Sequence, residues 1–321
     1  MEESRDVTKR PAITALIVAL VCAPSVAFPQ DTSQTPKPTF RSAVDLVSVA
    51  AVVRDRKGRF ARNLRKDDFV VEEGGTRRDV IDFRSDDNAP VRVALLFDVS
   101  GSMRLASRLE DARAAARQVL SALKLGTSTD EAAVFSFDMN LQSLQPFTAD
   151  AGAIEKALER VAPYGQTSLY DAIALTADDL DTNRPGDPRR RAVIVFTDGL
   201  DTSSELTPKR VSEIAAAIDV PVYVMTVVSD MERDKGSQSE LAETPLLDLA
   251  RATGGELFVT SAPAHESIAA RQIVDELRHQ YVLAFSASAG TGWRAVSVKT
   301  KNKDFVVRAR SGYRAGAHVG S

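Results

Sequence analysis

Cysteine and histidine are nearly missing from this chain. Cys22 is the one cysteine in 321 residues, which excludes an internal disulfide framework and any cysteine-rich metal centre. Three histidines, His265, His279 and His318, lie too scattered for a zinc cluster. No G-x-G-x-x-G follows an apolar strand and no G-x-S-x-G occurs, so neither a dinucleotide fold nor a hydrolase elbow is signalled. Excess charge of one sign is also lacking. Lys and Arg total 41 against 44 Asp and Glu, which gives no electrostatic reason to expect nucleic acid as a partner. What remains is a chain of ordinary globular composition, 44% hydrophobic and 26% charged, able to build one large domain or two modest ones.

The N-terminus reads as an address. Arg5, Lys9 and Arg10 precede an uncharged stretch whose most apolar part, Ala12 to Ala23, is short for a bilayer span but long enough for a signal-peptide core. Ser25 and Ala27 are small residues placed for cleavage after Ala27. The expectation is a signal peptide over 1–27 and an exported protein, periplasmic, secreted or envelope-associated. An uncleaved anchor is the alternative, and the one case in which a membrane is involved. Leu20 and Val21 before Cys22 lack the small residues of a lipoprotein signal. Residues 28–39 have the Pro, Thr and Gln content of a linker.

From 40 to 88 short apolar runs alternate with Gly-containing turns, notably Asp55-Arg56-Lys57-Gly58 and Gly74-Gly75, predicting a β-rich flank. Over 89–280 the texture changes. Continuous apolar strands at Val91–Phe97, Ala132–Phe137, Ala192–Phe196, Val222–Val228 and Leu257–Val259 alternate with helical periodicity, the first helical series running from Leu105 through Leu109 and Ala112 to Leu123. Leu141–Phe147 reads as a further strand. This predicts an α/β fold with a doubly wound, mostly parallel sheet. Residues 281–313 return to strand texture and 314–321 form a tail, with Thr300-Lys301-Asn302-Lys303 read as the turn of a hairpin. The two flanks are expected to join as one β-layer; two separate β appendages are the alternative.

The chemistry sits at the end of the first parallel strand, in Asp98-Val99-Ser100-Gly101-Ser102. Ligands of open α/β sheets bind beyond the carboxyl ends of the strands, and a carboxylate with two hydroxyls at alternate positions suits a hard divalent ion. Thr197-Asp198-Gly199 brings a second carboxylate to the same sheet edge, and Gly165-Gln166-Thr167-Ser168 a hydroxyl just before a helix. Together these resemble the metal-ion-dependent adhesion site of von Willebrand factor type A domains, with Asp98, Ser100 and Ser102 matching its first loop, Thr167 its second and Asp198 its third. The resemblance implies binding of Mg2+, or Mn2+ or Ca2+. Some of the five side chains would hold the ion directly and others through water. It further implies an open position for an Asp or Glu from an unidentified protein partner, and no catalysis. In integrin relatives ligand binding couples to a helix shift; the helix near 265–280 would be its counterpart, a static packed helix the alternative.

A closer resemblance is to bacterial von Willebrand factor A-related proteins known chiefly from Acidobacteria. It is carried by Val44 through Val71-Glu72-Glu73-Gly74 and by Thr253-Gly254-Gly255, Gln280-Tyr281 and Arg310-Ser311-Gly312-Tyr313. Two other functions compete with metal-dependent binding. One is an envelope scaffold stabilised by its metal. The other is an Asp-nucleophile phosphatase, since Leu95-Leu96-Phe97-Asp98 is similar to the haloacid dehalogenase type; there a second acid is needed two residues on, where this chain has Ser100. Asp178-Asp179 reads as a solvated helix face, Arg189-Arg190-Arg191 as a solvated loop edge with phosphate or lipid contact the alternative, and Trp293 as a core or edge aromatic with an exposed binding role the alternative. Asp201 is either an outer partner of the metal or a turn cap.

Overall fold

The computed structural model describes residues 46–86, 88–126, 129–163, 165–182, 188–199, 201–217, 219–227, 245–260 and 263–316. The expected signal peptide (1–27) and linker (28–39), with Cys22 and His318, lie outside them. Among the described residues no helix is long and apolar enough to cross a membrane.

In chain order, the first strands are β1 (Leu46–Asp55), β2 (Phe69–Glu73), β3 (Thr76–Arg78) and β4 (Val80–Ser85). The middle of the chain alternates β5 (Val91–Asp98), α1 (Arg108–Ala122), β6 (Glu131–Phe137), β7 (Leu141–Thr148), α2 (Ala151–Arg160) and α3 (Leu169–Thr182). It continues through β8 (Arg190–Thr197), α4 (Pro208–Ala217), β9 (Val222–Val227), α5 (Pro245–Ala252), β10 (Leu257–Thr260) and α6 (Pro263–Arg278). The last strands are β11 (Tyr281–Ser286), β12 (Gly292–Thr300), β13 (Phe305–Ala309) and β14 (Gly312–Ala315).

The α/β part is a six-stranded sheet in the order β10-β9-β8-β5-β6-β7. Five strands are parallel and β7 closes one edge antiparallel. Every residue of the central β5 is buried, because side chains alternate between two faces and helices cover both. Val93, Leu95 and Phe97 meet Leu109, Ala112 and Val119 of α1, Ile154 of α2 and Ile273 of α6. Ala94 and Leu96 meet Leu169 and Ile173 of α3, Val211 of α4 and Leu249 of α5. Leu105 does not join its expected helix. It lies in a 3-10 turn over Gly101–Ser107 and is 60% exposed.

The two flanks interleave. One antiparallel sheet has the order β13-β1-β11-β4 and the other β14-β12-β2-β3, and a shared core of Val49, Phe69, Val71, Leu283, Phe285, Val298 and Tyr313 fills the space between them. Gly74 and Gly75 make the β2–β3 turn at φ +54° and +81°, the doubly positive geometry that a two-residue hairpin turn demands. The expected hairpin of the last strands is not formed. β12 pairs with β2 and β14, while β13 pairs with β1, so residues 301–304 carry the chain from one sheet to the other. β12 and β13 each have a partner more than 200 positions away, in β2 and β1, which local turn residues cannot announce.

Two buried charge clusters knit the parts. Glu276 of α6 accepts from Arg54 of β1 at 2.7 Å, from Tyr223 at 3.0 Å and from Gln272 at 3.1 Å, and pairs with Arg308 of β13. Inside the β layers, Glu73 accepts from Arg78 at 2.8 Å and from the Ser288 and Tyr313 hydroxyls.

Candidate functional site

The site is built where β5 and β8 end side by side. Asp98, the last residue of β5, has no solvent exposure. Its Oδ1 accepts the backbone N–H of Ser100 at 2.8 Å, an Asx turn that folds the chain back on the carboxylate. Its Oδ2 accepts the Thr197 hydroxyl at 2.7 Å, and Thr197 is the last residue of β8. The Ser100 and Ser102 hydroxyls lie 3.0 Å apart. Three oxygen-bearing side chains are thereby gathered by one turn.

Backbone hydrogen bonds hold two further loops against it. Gly101 donates to the Gly165 carbonyl at 3.2 Å, and Ser168 to the Asp138 carbonyl at 2.8 Å. Gly165 has φ +98°, and a Cβ there would sit 3.0 Å from the Asp138 side chain, so both conformation and space require glycine. The Thr167 carbonyl accepts from the Thr202 and Ser203 amides at 3.0 and 2.9 Å, joining the second loop to the third. Asp201 accepts from the Leu169 amide at 2.9 Å and the Ser204 hydroxyl at 2.7 Å, so it serves as a cap at the start of α3.

Asp198 follows Thr197 directly, and its side chain is 4% exposed. Arg108, the first residue of α1, donates through Nη1 to Asp198 Oδ2 at 2.8 Å and to the Ser102 carbonyl at 3.2 Å. Burial pushes the Asp98 carboxyl up to about 6, against the pull of the Thr197 and Ser100 hydrogen bonds and with the added repulsion of Asp198. A divalent cation placed at Asp98 would relieve that penalty. Two carboxylates and hydroxyls form an all-oxygen donor set fitted to a hard ion. Among the described residues no group of three or more His, Cys, Asp or Glu side chains gathers that could hold a metal, so the hydroxyls are essential to the fit.

Residues 93–200 match the sequence profile of the von Willebrand factor type A domain, a span that includes Asp98, Ser100, Ser102, Thr167 and Asp198. Residues 93–200 thus make up a von Willebrand factor type A domain. No curated protein matches the sequence. Among solved structures, BatB from Bacteroides thetaiotaomicron is 20% identical, with 58% of this chain and 98% of that one covered and a TM-score of 0.45. A von Willebrand factor type A protein from Catenulispora acidiphila is 14% identical over 79% and 74%, with a TM-score of 0.48. Proximal thread matrix protein 1 of the mussel byssus, solved with zinc in its adhesion-site motif, is 14% identical over 60% and 49%, with a TM-score of 0.43. At such identities none of them bears on what this chain binds.

The remaining candidates fall as follows. Asp178 is exposed on α3 and Asp179 half-buried. His279 stacks on Phe60 with ring centroids 4.9 Å apart, and its Nδ1 lies 2.7 Å from the Asp275 carbonyl at the helix end. Arg189, Arg190 and Arg191 are not a solvated edge. All three are half-buried around the start of β8, with Arg189 paired to Glu131 at 3.2 Å, because the strand begins at Arg190, two residues before its apolar run. Trp293 is 43% exposed on β12. Sequence reasoning missed Arg108 altogether. Its only signal was a basic residue ten positions after Asp98 at the start of an apolar helical series.

Proposed function

We propose that this chain is an exported, non-enzymatic binding protein whose A domain holds a divalent cation, Mg2+ or a similar ion, at Asp98, Ser100, Ser102, Thr167 and Asp198. When bound, the ion would supply an open coordination position for an acidic side chain of a partner protein. The observation that carries this reading is the Asp98 cluster. A fully buried carboxylate, two hydroxyls 3.0 Å apart and a second carboxylate on the adjoining strand face one sheet edge, and the charge of Asp98 is otherwise poorly compensated. The chain's own residues do the positioning. Thr197 and the Ser100 amide fix the two oxygens of Asp98, and the Thr202 and Ser203 amides fix the Thr167 loop.

Export is supported by the basic, apolar and small-residue order of positions 1–27. Kinship with the bacterial A-related proteins is supported by the motif residues of the flanks. Glu73 and Tyr313 interlock by a hydrogen bond, and Arg310 reaches the carbonyls of Ser48 and Ala217. The absence of an acid at position 100 argues against the phosphatase.

Calorimetric titration with Mg2+, Mn2+ and Ca2+ beside Asp98→Asn tests the site. Saturable binding at one site is expected, lost in the variant while its circular dichroism is unchanged. A folded wild-type chain that takes up none of the three ions would remove the mechanism and leave only the fold.

A further inference from the structure

We propose that Arg108 is a built-in counter-cation of this site, one that competes with a divalent ion for Asp198 and so sets the ion's affinity low. The inference rests on the metal-dependent reading above. It starts from the placement of one guanidinium. Ser107 has φ +64°, a left-handed conformation uncommon outside glycine, and it separates the 3-10 turn from α1. Arg108 then opens the helix with its side chain only 8% exposed, and its Nη1 bridges Asp198 Oδ2 and the Ser102 carbonyl. Arg108 thus touches the first and third loops at once, at the carboxylate and next to the hydroxyl that an ion would use.

An arginine guanidinium stays protonated at any physiological pH. A dication taken up among Asp98, Ser100, Ser102 and Asp198 must share Asp198 with it, and two cations on one carboxylate repel. Both side chains are nearly out of solvent, where water and salt screen that repulsion weakly. The same charge favours an acidic partner. The guanidinium stands beside the place of the ion, on the carboxylate the ion would share, and an incoming Asp or Glu would offset the repulsion between the two cations. The arrangement makes the ion loosely held by the chain alone and more firmly held once a carboxylate arrives.

The test is calorimetric titration of the full-length chain with Mn2+, comparing wild type, Arg108→Gln and Arg108→Lys. Neutralising the residue should tighten Mn2+ by about tenfold or more, whereas the lysine variant should stay within about threefold of wild type. The gain should vanish when Asp98→Asn is added to Arg108→Gln. Wild-type binding that is lost in Asp98→Asn but is unchanged or weaker in Arg108→Gln would overturn this inference and leave the metal site standing. Saturable binding in Arg108→Gln with none in wild type would support it. Binding in neither would bring down the metal reading itself, and this inference with it. If Arg108→Gln does not fold, Arg108→Met, neutral and of similar length, makes the same comparison.

Discussion

Glu73 in the β layers and Asp98 at the edge of the α/β sheet are both carboxylates almost without solvent, and their surroundings treat them in opposite ways. Burial pushes Glu73 up as well, but hydrogen bonds from Ser288, Tyr313 and Arg78 outweigh it and hold the group down at about 2. Asp98 has bonds from Thr197 and Ser100 but no cation among its partners and a like charge nearby, and burial leaves it at about 6. Glu73 continues the inward alternation of β2, whose pattern from Phe69 is buried at every second residue, and its partners complete a closed network within the sandwich. Asp98 ends a strand, where the loops supply acceptors and hydroxyls rather than cations. One carboxylate is saturated by its own chain and contributes to the fold. The other is underserved by its own chain, which is the condition of a site that awaits a ligand.

The contrast can be broken most severely at another buried carboxylate, Glu276 of α6. Glu276 has no side-chain exposure and answers to Arg54 and Arg308, so it belongs with Glu73. Replacing it with Gln removes the carboxylate paired with Arg54 and one of the two paired with Arg308, and chemical denaturation should show a loss of about 3 kcal/mol. A loss under 1 kcal/mol would mean that the cluster joining α6 to β1 and β13 contributes little.

Glu73→Gln comes next, at about 2 kcal/mol near neutral pH. Its pH dependence is the sharper test. A carboxyl held at about 2 when folded, against an ordinary value of 4.5, stabilises the fold above the unfolded value and loses that contribution as the pH falls toward 2. Wild type should therefore lose stability between about pH 5 and pH 2 more steeply than Glu73→Gln. Parallel curves would show that Glu73 is not the saturated partner of the comparison.

Much of this was legible in the sequence because parallel strands buried on both faces write themselves as unbroken apolar runs. Val91–Phe97 and Ala192–Phe196 predicted β5 and β8, and the ends of those two strands fixed where Asp98 and Asp198 had to lie. The helix after β5 was harder. Leu105 fits its period but precedes the left-handed turn at Ser107, and that turn is what aims Arg108 at Asp198. Pairing in the flanks was not legible at all. Nothing local to residues 301–304 tells that β12 and β13 go to different sheets, since β1 and β2 decide it from the other end of the chain. The buried acids were half-visible. The period-two spacing of Phe69, Val71 and Glu73 points the glutamate inward, but its compensation by Ser288 and Tyr313 exists only after folding.

The smallest expected effect is the most discriminating one. In the presence of a chelator, Asp98→Asn should cost the fold less than about 1 kcal/mol, because it removes a buried charge whose compensation is poor. The amide keeps an oxygen for the Ser100 N–H, and the Thr197 hydroxyl, which now donates to Oδ2 and accepts from the Gly199 amide at 3.0 Å, can turn to accept from the new NH2 group. Side by side with Glu73→Gln, the same carboxylate-to-amide change then has unequal consequences. If Asp98→Asn instead unfolds the chain as readily as Glu73→Gln, Asp98 is a structural acid, and the loops around it are a well-packed sheet edge rather than a place kept for a cation. If it leaves stability intact and abolishes the thermal shift produced by Mg2+, the buried charge at the end of β5 serves binding rather than the fold.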